Sequence, residues 1–298
     1  HIFYVFIELI YIFTAQRFYF RSSAAHRSLK YHYTFHHKPS NIKIILVIFD
    51  NVLIPWENVL FYRHTKAAAF IRSTLHRYSA FAYVQRTLKF ADMMLGAALF
   101  NVKQTGLEKQ PAVQEKLAKI ATWRENINAH LTSSITLAEK SPAGLLMPNQ
   151  SLLYTGRCTA LNQLNEMMHI ARELCGGQIC VTPNAATFKN PETGKWMEKF
   201  YTINDTWKSE DRRKLLAYAR DLLNSDYGGH RLTFQLFAQS APFAQSGAVY
   251  RNFDWDATLE FVQKSAGLSD NVFKPNKINN GDPAIQKWYE NNYKEAAE

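Results

Sequence analysis

Apolar residues recur at three- and four-residue steps in four separate stretches, and that spacing leaves few folds open to the chain. Val84, Leu88, Ala91, Leu95, Ala98 and Val102 share one face of a helix predicted to end near Gly106. Pro111 can open a second helix, whose stripe of Val113, Leu117, Ile120, Ile127, Leu131 and Ile135 runs on to Ser141-Pro142. A third is predicted from about Ser151 to Leu174, with Leu161, Leu164, Met168 and Ala171 inward and Gly176-Gly177 as its stop. The fourth runs from about Ser209 to Ser225 on Leu215, Leu216, Ala219, Leu222 and Leu223, and stops before Gly228-Gly229. Four long amphipathic helices with moderate connections predict a mainly α chain folded as an antiparallel four-helix bundle. The stretch from Gly177 to Tyr201 reads as irregular, and a shorter helix is expected near Asp254.

The first 43 residues differ from the rest. They open with HIFYVFIELIYIF and continue through basic, Ser- and His-bearing text. The opening apolar run is interrupted by Glu8 and is too short to span a bilayer, and no basic stretch precedes it as in a signal peptide. The reading is a segment that does not belong to the fold. From Ile44 to Phe49 a continuous apolar, β-branched run reads as a buried strand, closed by Asp50-Asn51 and Pro55. A lone strand leaves its backbone groups unpaired, so its partner lies either in the odd N-terminal segment or outside the chain.

The formal net charge of +10 raises the question of an acidic partner. Six of the basic residues lie at or before Lys43, against Glu8 alone, so half the excess sits in the atypical segment. Beyond it, Lys and Arg alternate with Asp and Glu as on solvated helix faces. No basic stripe interleaved with stacking aromatics is present, which argues against a nucleic-acid partner. No stretch argues for a membrane span, and Cys158, Cys175 and Cys180 match no zinc or redox spacing, so a reducing, cytoplasmic setting is expected.

The residues offer no Gly-rich phosphate loop after a strand, no nucleophile elbow, no HExxH and no Cys/His zinc set, so no metal and no catalytic residue is assigned. Two glycine pairs remain, each at the predicted end of a long helix. Gly176-Gly177 serves either as a C-cap or as a place where backbone without a Cβ lets a flat ligand approach. Gly228-Gly229 poses the same choice and is followed by His230 and Arg231, cations suited to phosphate or to a helix end.

Four ordered pieces together resemble the flavin-dependent 4-hydroxyphenylacetate 3-monooxygenase family, the oxygenase component of two-component aromatic hydroxylases. They are Phe49-Asp50-Asn51-Val52-Leu53-Ile54-Pro55-Trp56-Glu57-Asn58-Val59-Leu60, then Thr122-Trp123-Arg124, then Gly176-Gly177-Gln178-Ile179 through Pro183 with Phe188-Lys189-Asn190-Pro191, and last Ser225-Asp226-Tyr227-Gly228-Gly229-His230-Arg231. The resemblance covers about Ile45 to Ala244 and implies a bundle like the C-terminal domain of acyl-CoA dehydrogenases, preceded by a remnant β-strand. It divides the chain into an atypical segment at 1–43, the last strand of a truncated β domain with its linker at 44–62, and a helical domain with a C-terminal extension at 63–298. It implies FAD as cofactor, used as FADH2 from a separate flavin reductase, a phenolic substrate hydroxylated with O2, and a homodimer or homotetramer. Residue by residue, it carries cofactor contacts onto Gly176, Gly177, Gly228, Gly229, His230, Arg231 and Gln235. Where the family reads Gly-Gly-Arg-His this chain reads Gly228-Gly229-His230-Arg231, and Gln235 stands where an acidic residue is usual. The competing expectations are a non-catalytic helical oligomerisation module derived from that family and an acyl-CoA dehydrogenase relative, which would need a catalytic Glu that is not found.

Overall fold

The computed structural model describes residues 33–36, 43–46, 53, 55–59, 61–66, 71, 74–141, 143–238, 240–270 and 272. They fall into two compact units. In the first, β1 (Tyr33–His36) pairs antiparallel with β2 (Lys43–Leu46), Tyr33 standing opposite Leu46. The strand expected at Ile44 therefore finds its partner in the N-terminal segment, while residues 47–49 lie outside the described residues. Of the Phe49–Leu60 piece, residues 53 and 55–59 are described, with a single 3-10 turn at Trp56–Asn58.

The second unit is helical. Its frame is α1 (Leu75–Gln104), α2 (Pro111–Thr136) and α3 (Gln150–Cys175), which pack on one another. The stripes behave as their spacing predicts: Val84, Ala91, Ala98 and Val102 on α1, and Leu161, Leu164, Met168 and Ala171 on α3, are buried. Helix ends follow local chemistry. Gly106 takes a left-handed φ of 71° after α1, Pro111 opens α2, and the Asn149 side chain accepts the Leu152 N–H at the start of α3.

Contacts along these helices give their directions. Arg77 donates to Gln150 Oε1 (2.7 Å) near the start of both α1 and α3, and Asn101 donates to the Leu174 carbonyl (2.7 Å) near the end of both, so these two run parallel. α2 runs the other way between their ends, with Lys116 on Glu173 at one end and His130 against Gly156 at the other. The next long segment, α7 (Ser209–Leu223) and α8 (Asp226–Phe237), descends along α1, from Trp207 beside Phe100 to Gln235 beside Tyr83. α9 (Pro242–Asn252) lies on α3, and α10 (Trp255–Ser265) starts where the helix near Asp254 was expected, with the Asp254 carboxylate capping the Ala257 N–H.

Three expectations need correction. α2 stops at Thr136 rather than continuing to Ser141, because residues 139–147 turn back as a hairpin of β3 (Glu139–Lys140) and β4 (Leu146–Met147). Glu139 is held there by Arg77 (2.8 Å), and Ile135 is left exposed. The stretch from Gly177 to Tyr201 is not irregular but forms α4 (Gln178–Val181), α5 (Ala185–Lys189) and α6 (Gly194–Tyr201), separated by Asn184 and Asn190 side chains that accept backbone N–H groups. The fourth predicted helix ends at Leu223, and a new helix begins three residues later.

α2 and α3 cross closely at Gly156, where a Cβ would lie 2.5 Å from His130 Cβ. Gly156→Ala is expected to destabilise the fold by about 1–3 kcal/mol through overpacking, seen as a lower urea midpoint with unchanged slope. Cys175 is a free, buried thiol whose pKa burial pushes up to about 12. Unfolding lets it ionise at its lower ordinary pKa, so the native state loses stability as pH rises from about 9 towards about 12. Cys175→Ala should remove that part of the alkaline loss in melts run across this range.

Candidate functional site

The two glycine pairs, alike in sequence, have different local roles. Gly176 is a C-cap: its φ is 71°, and its N–H reaches back to the Arg172 carbonyl (3.0 Å). Gly228 is not a C-cap, since it sits in the first turn of α8. Ser225 restarts the helix there by accepting the Tyr227 N–H (3.1 Å) and the Gly228 N–H (3.4 Å), with Asp226 placed favourably at the positive end. A Cβ on Gly228 would meet the Leu222 carbonyl oxygen at 2.6 Å, so packing of α8 under the end of α7 demands glycine. Gly177 and Gly229 have neither reason. Both have ordinary backbone, both are exposed, and nothing lies within 4 Å of where a Cβ would stand. Their bare backbone is open to a partner from outside the chain.

Three bonds from the α7 segment bring the two pairs to the same end of the unit. Arg172 Nε donates to the Leu223 carbonyl (2.9 Å), Arg220 donates to the Thr182 carbonyl (2.9 Å), and Asn224 Nδ2 donates to Cys180 Sγ (3.3 Å). Arg212 adds a bond to Gln178 Oε1 (2.6 Å). The loop after α3 and the start of α8 are thus fixed to one helix.

Further along α8 the side chains turn towards α1. His230 stacks on Phe234 with ring centres 6.0 Å apart, and burial, then the neighbouring Arg231 charge, lowers its pKa. The Arg231 guanidinium lies 5.5 Å above the Phe90 ring and 5.9 Å from that of Tyr227. Gln235 is fully buried. Its main-chain carbonyl accepts the Tyr83 hydroxyl (2.9 Å), while among the described residues neither its side-chain oxygen nor its nitrogen has a hydrogen-bond partner.

Tyr83 marks a feature that sequence reading missed. Arg86 and Arg157 both lie within electrostatic reach of its hydroxyl, and burial, then the Arg231 charge, lowers the pKa of Arg86. Arg157 is 1% exposed and lies 4.6 Å above the Tyr154 ring, with Nε and one terminal nitrogen unpaired. The Nε atoms of Arg86 and Arg231 are also buried without a partner. Among the described residues none of the three arginines forms an ion pair. A cation–π contact contributes about 0.5–2 kcal/mol, less than the several kcal/mol lost when a guanidinium leaves water. Arg157 had a legible signal: it stands four residues after Leu153 and seven before Leu164, on the stripe that otherwise carries apolar side chains. Among the described residues, no group of three or more His, Cys, Asp or Glu could hold a metal ion, and no helix is long and apolar enough to cross a membrane.

Residues 65–267 match the family model described as 4-hydroxyphenylacetate 3-hydroxylase C terminal, HpaB. The chain belongs to this family. Among its relatives, the FADH(2)-dependent monooxygenase TftD of Burkholderia cepacia is 25% identical over 212 residues, covering 70% of this chain and 41% of the relative. The 4-hydroxyphenylacetate 3-monooxygenase oxygenase component of Thermus thermophilus is 25% identical over 231 residues, covering 77% and 48%. The chain thus spans less than half the length of these relatives. The fold is also that of the HpaB oxygenase component crystallised with FAD and 4-hydroxyphenylacetate (TM-score 0.70, 24% identity, 77% of this chain and 48% of that one). An archaeal 4-hydroxybutyryl-CoA dehydratase from N. maritimus shares it (TM-score 0.71, 21% identity, 78% and 46%). This HpaB-family chain is therefore mainly helical, with an acyl-CoA dehydrogenase-like fold.

The contrast within the second glycine pair is measurable. Gly228→Ala should destabilise by about 1–3 kcal/mol, whereas Gly229→Ala should be neutral or stabilise by up to about 1 kcal/mol. Thermal melts of the two single variants test this, and equal losses would remove the distinction drawn between the two positions.

Proposed function

We propose that this chain is the helical C-terminal portion, at 63–298, of an oxygenase that uses FADH2 and O2 to hydroxylate a phenolic substrate. The single observation that carries the reading is the family match over 65–267, whose relatives include monooxygenases named for FADH2 and for phenols. The geometry supports it independently. Gly177 and Gly229 present bare backbone that nothing among the described residues requires, and Gln235 and Arg231 hold buried polar atoms for which the described residues supply no partner. Such groups fit a flat polar cofactor with phosphates. In this reading Gly176 and Gly177 border it from the end of α3, while Gly228, Gly229, His230, Arg231 and Gln235 border it from α8.

Bound reduced flavin would supply the two electrons that let one oxygen atom enter the ring while the other leaves as water. The residues of this chain bind and shield. Phe90 and Tyr227 keep water from Arg231, which strengthens its hold on negative charge, while His230, its pKa lowered, stacks on Phe234 as a neutral ring. A reductase delivers FADH2. Exposed Phe237, Phe243, Tyr250 and Phe261 on α8 to α10 supply apolar surface for assembly as a homodimer or homotetramer, and we place the protein in the cytoplasm.

Anaerobic titration with FADH2, followed by flavin absorbance, tests the proposal. Binding is expected with Kd on the order of tens of micromolar or tighter. Gly177→Ala and Gly229→Ala should weaken it about tenfold, or about 1.4 kcal/mol, without lowering the melting temperature. Absence of binding in that range would remove the claim that this portion holds flavin.

A further inference from the structure

We propose that Arg86, Arg157 and Arg231, carried by α1, α3 and α8 around the contact between Tyr83 and Gln235, form a seat for a phosphoryl oxyanion. Arg231 and Gln235 also belong to the flavin site proposed above, so the inference rests in part on that reading, while Arg86, Arg157 and Tyr83 extend it.

The observations are geometric. Among the described residues, Arg157 is almost fully buried with two nitrogens unpaired, and Gln235 beside Tyr83 is fully buried with both side-chain polar atoms unpaired. Arg86 and Arg231 are half-buried, so the cluster grades from a closed end at Arg157 towards a more accessible end. Among the described residues no carboxylate pairs with any of the three guanidinium groups. The Tyr83 hydroxyl spends its proton on the Gln235 carbonyl (2.9 Å), which presents its oxygen towards cations and fixes α8 against α1. Burial keeps that hydroxyl protonated, its pKa being pushed up to about 12, so it does not neutralise the arginines.

The charge count selects the ligand. Three guanidinium forks are matched poorly by one carboxylate, which would leave two positive charges unanswered. A diphosphate carries several negative charges on oxygens spread over two phosphorus centres, and each fork can take two of them. The phosphoryl group has two possible sources, the pyrophosphate of a dinucleotide or a free inorganic anion.

Thermal melts and calorimetric titrations of the whole chain at constant ionic strength separate the outcomes. Inorganic pyrophosphate is expected to raise the melting temperature, and Arg157→Met and Arg86→Gln should each weaken its binding at least about tenfold. Arg157→Met should keep or raise the melting temperature without anion, because it removes an unpaired buried charge, so lost binding cannot be ascribed to misfolding. FAD and ADP binding more tightly than pyrophosphate assigns the seat to a dinucleotide, and equal binding assigns it to the free anion. Either supports the seat. A shift no larger than that given by acetate, or one retained in Arg157→Met, would overturn it. Riboflavin binding without any pyrophosphate binding removes the seat and keeps the flavin reading; pyrophosphate binding with no flavin affinity does the reverse.

Discussion

Burial of one face of α1 is the constraint on which the helical unit depends. Ala80, Tyr83, Val84, Phe90, Ala91, Met94, Ala97, Ala98 and Val102 form a continuous buried strip, and α2, α3 and α7 pack on this helix. Four of the nine are alanines, which let neighbouring backbones approach, while Tyr83, Phe90 and Met94 fill the wider gaps between them. Full burial of a large apolar side chain contributes about 1.5–3 kcal/mol. The strip therefore outweighs exposed pairs such as Lys264 with Glu260 or Lys208 with Asp205, which contribute little in water. The polar bonds at the two ends of α1, Arg77 to Gln150 and Asn101 to Leu174, set the direction of α3 rather than hold it.

Much of this frame was legible. The three- and four-residue spacing identified α1, α2, α3 and α7 and their buried faces, though not the start of α1 or the end of α2, since burial on one helical face is written directly into periodicity. The errors share a cause. Where α2 ends, the apolar pattern continues through Ile135, yet Arg77 draws Glu139 into a hairpin, and a partner 62 residues away leaves no local trace. The three short helices between Gly177 and Tyr201 carry too few turns to establish a period. Their boundaries are set by Asn184 and Asn190 bonding to the backbone, which a sequence alone reads equally well as turn or cap.

The site was legible in its glycines and not in its charges. Both pairs stood out, but the sequence made them equivalent. Only the surroundings separate a glycine required by its φ, Gly176, and one required by a carbonyl at 2.6 Å, Gly228, from two that nothing inside the chain requires. Arg86 passed as an ordinary basic residue, and Arg157 showed only its place on an apolar stripe, because their meaning lies in what is missing around them. Whether a guanidinium has a carboxylate nearby is decided by which helices meet, and α1, α3 and α8 meet through residues more than 60 positions apart.

The restart at Ser225 has a consequence for how this unit tolerates change. α7 is held by Arg172, Arg212 and Arg220, whereas the orientation of α8 follows from where its first turn is capped. An α-helix rotates about 100° per residue. One residue gained or lost between Leu223 and Ser225 would leave α7 and the core in place while swinging His230, Arg231 and Gln235 together off the α1 face. That junction acts as a phase setting: side-chain chemistry on α8 can drift one position at a time, but its alignment with α1 shifts all at once.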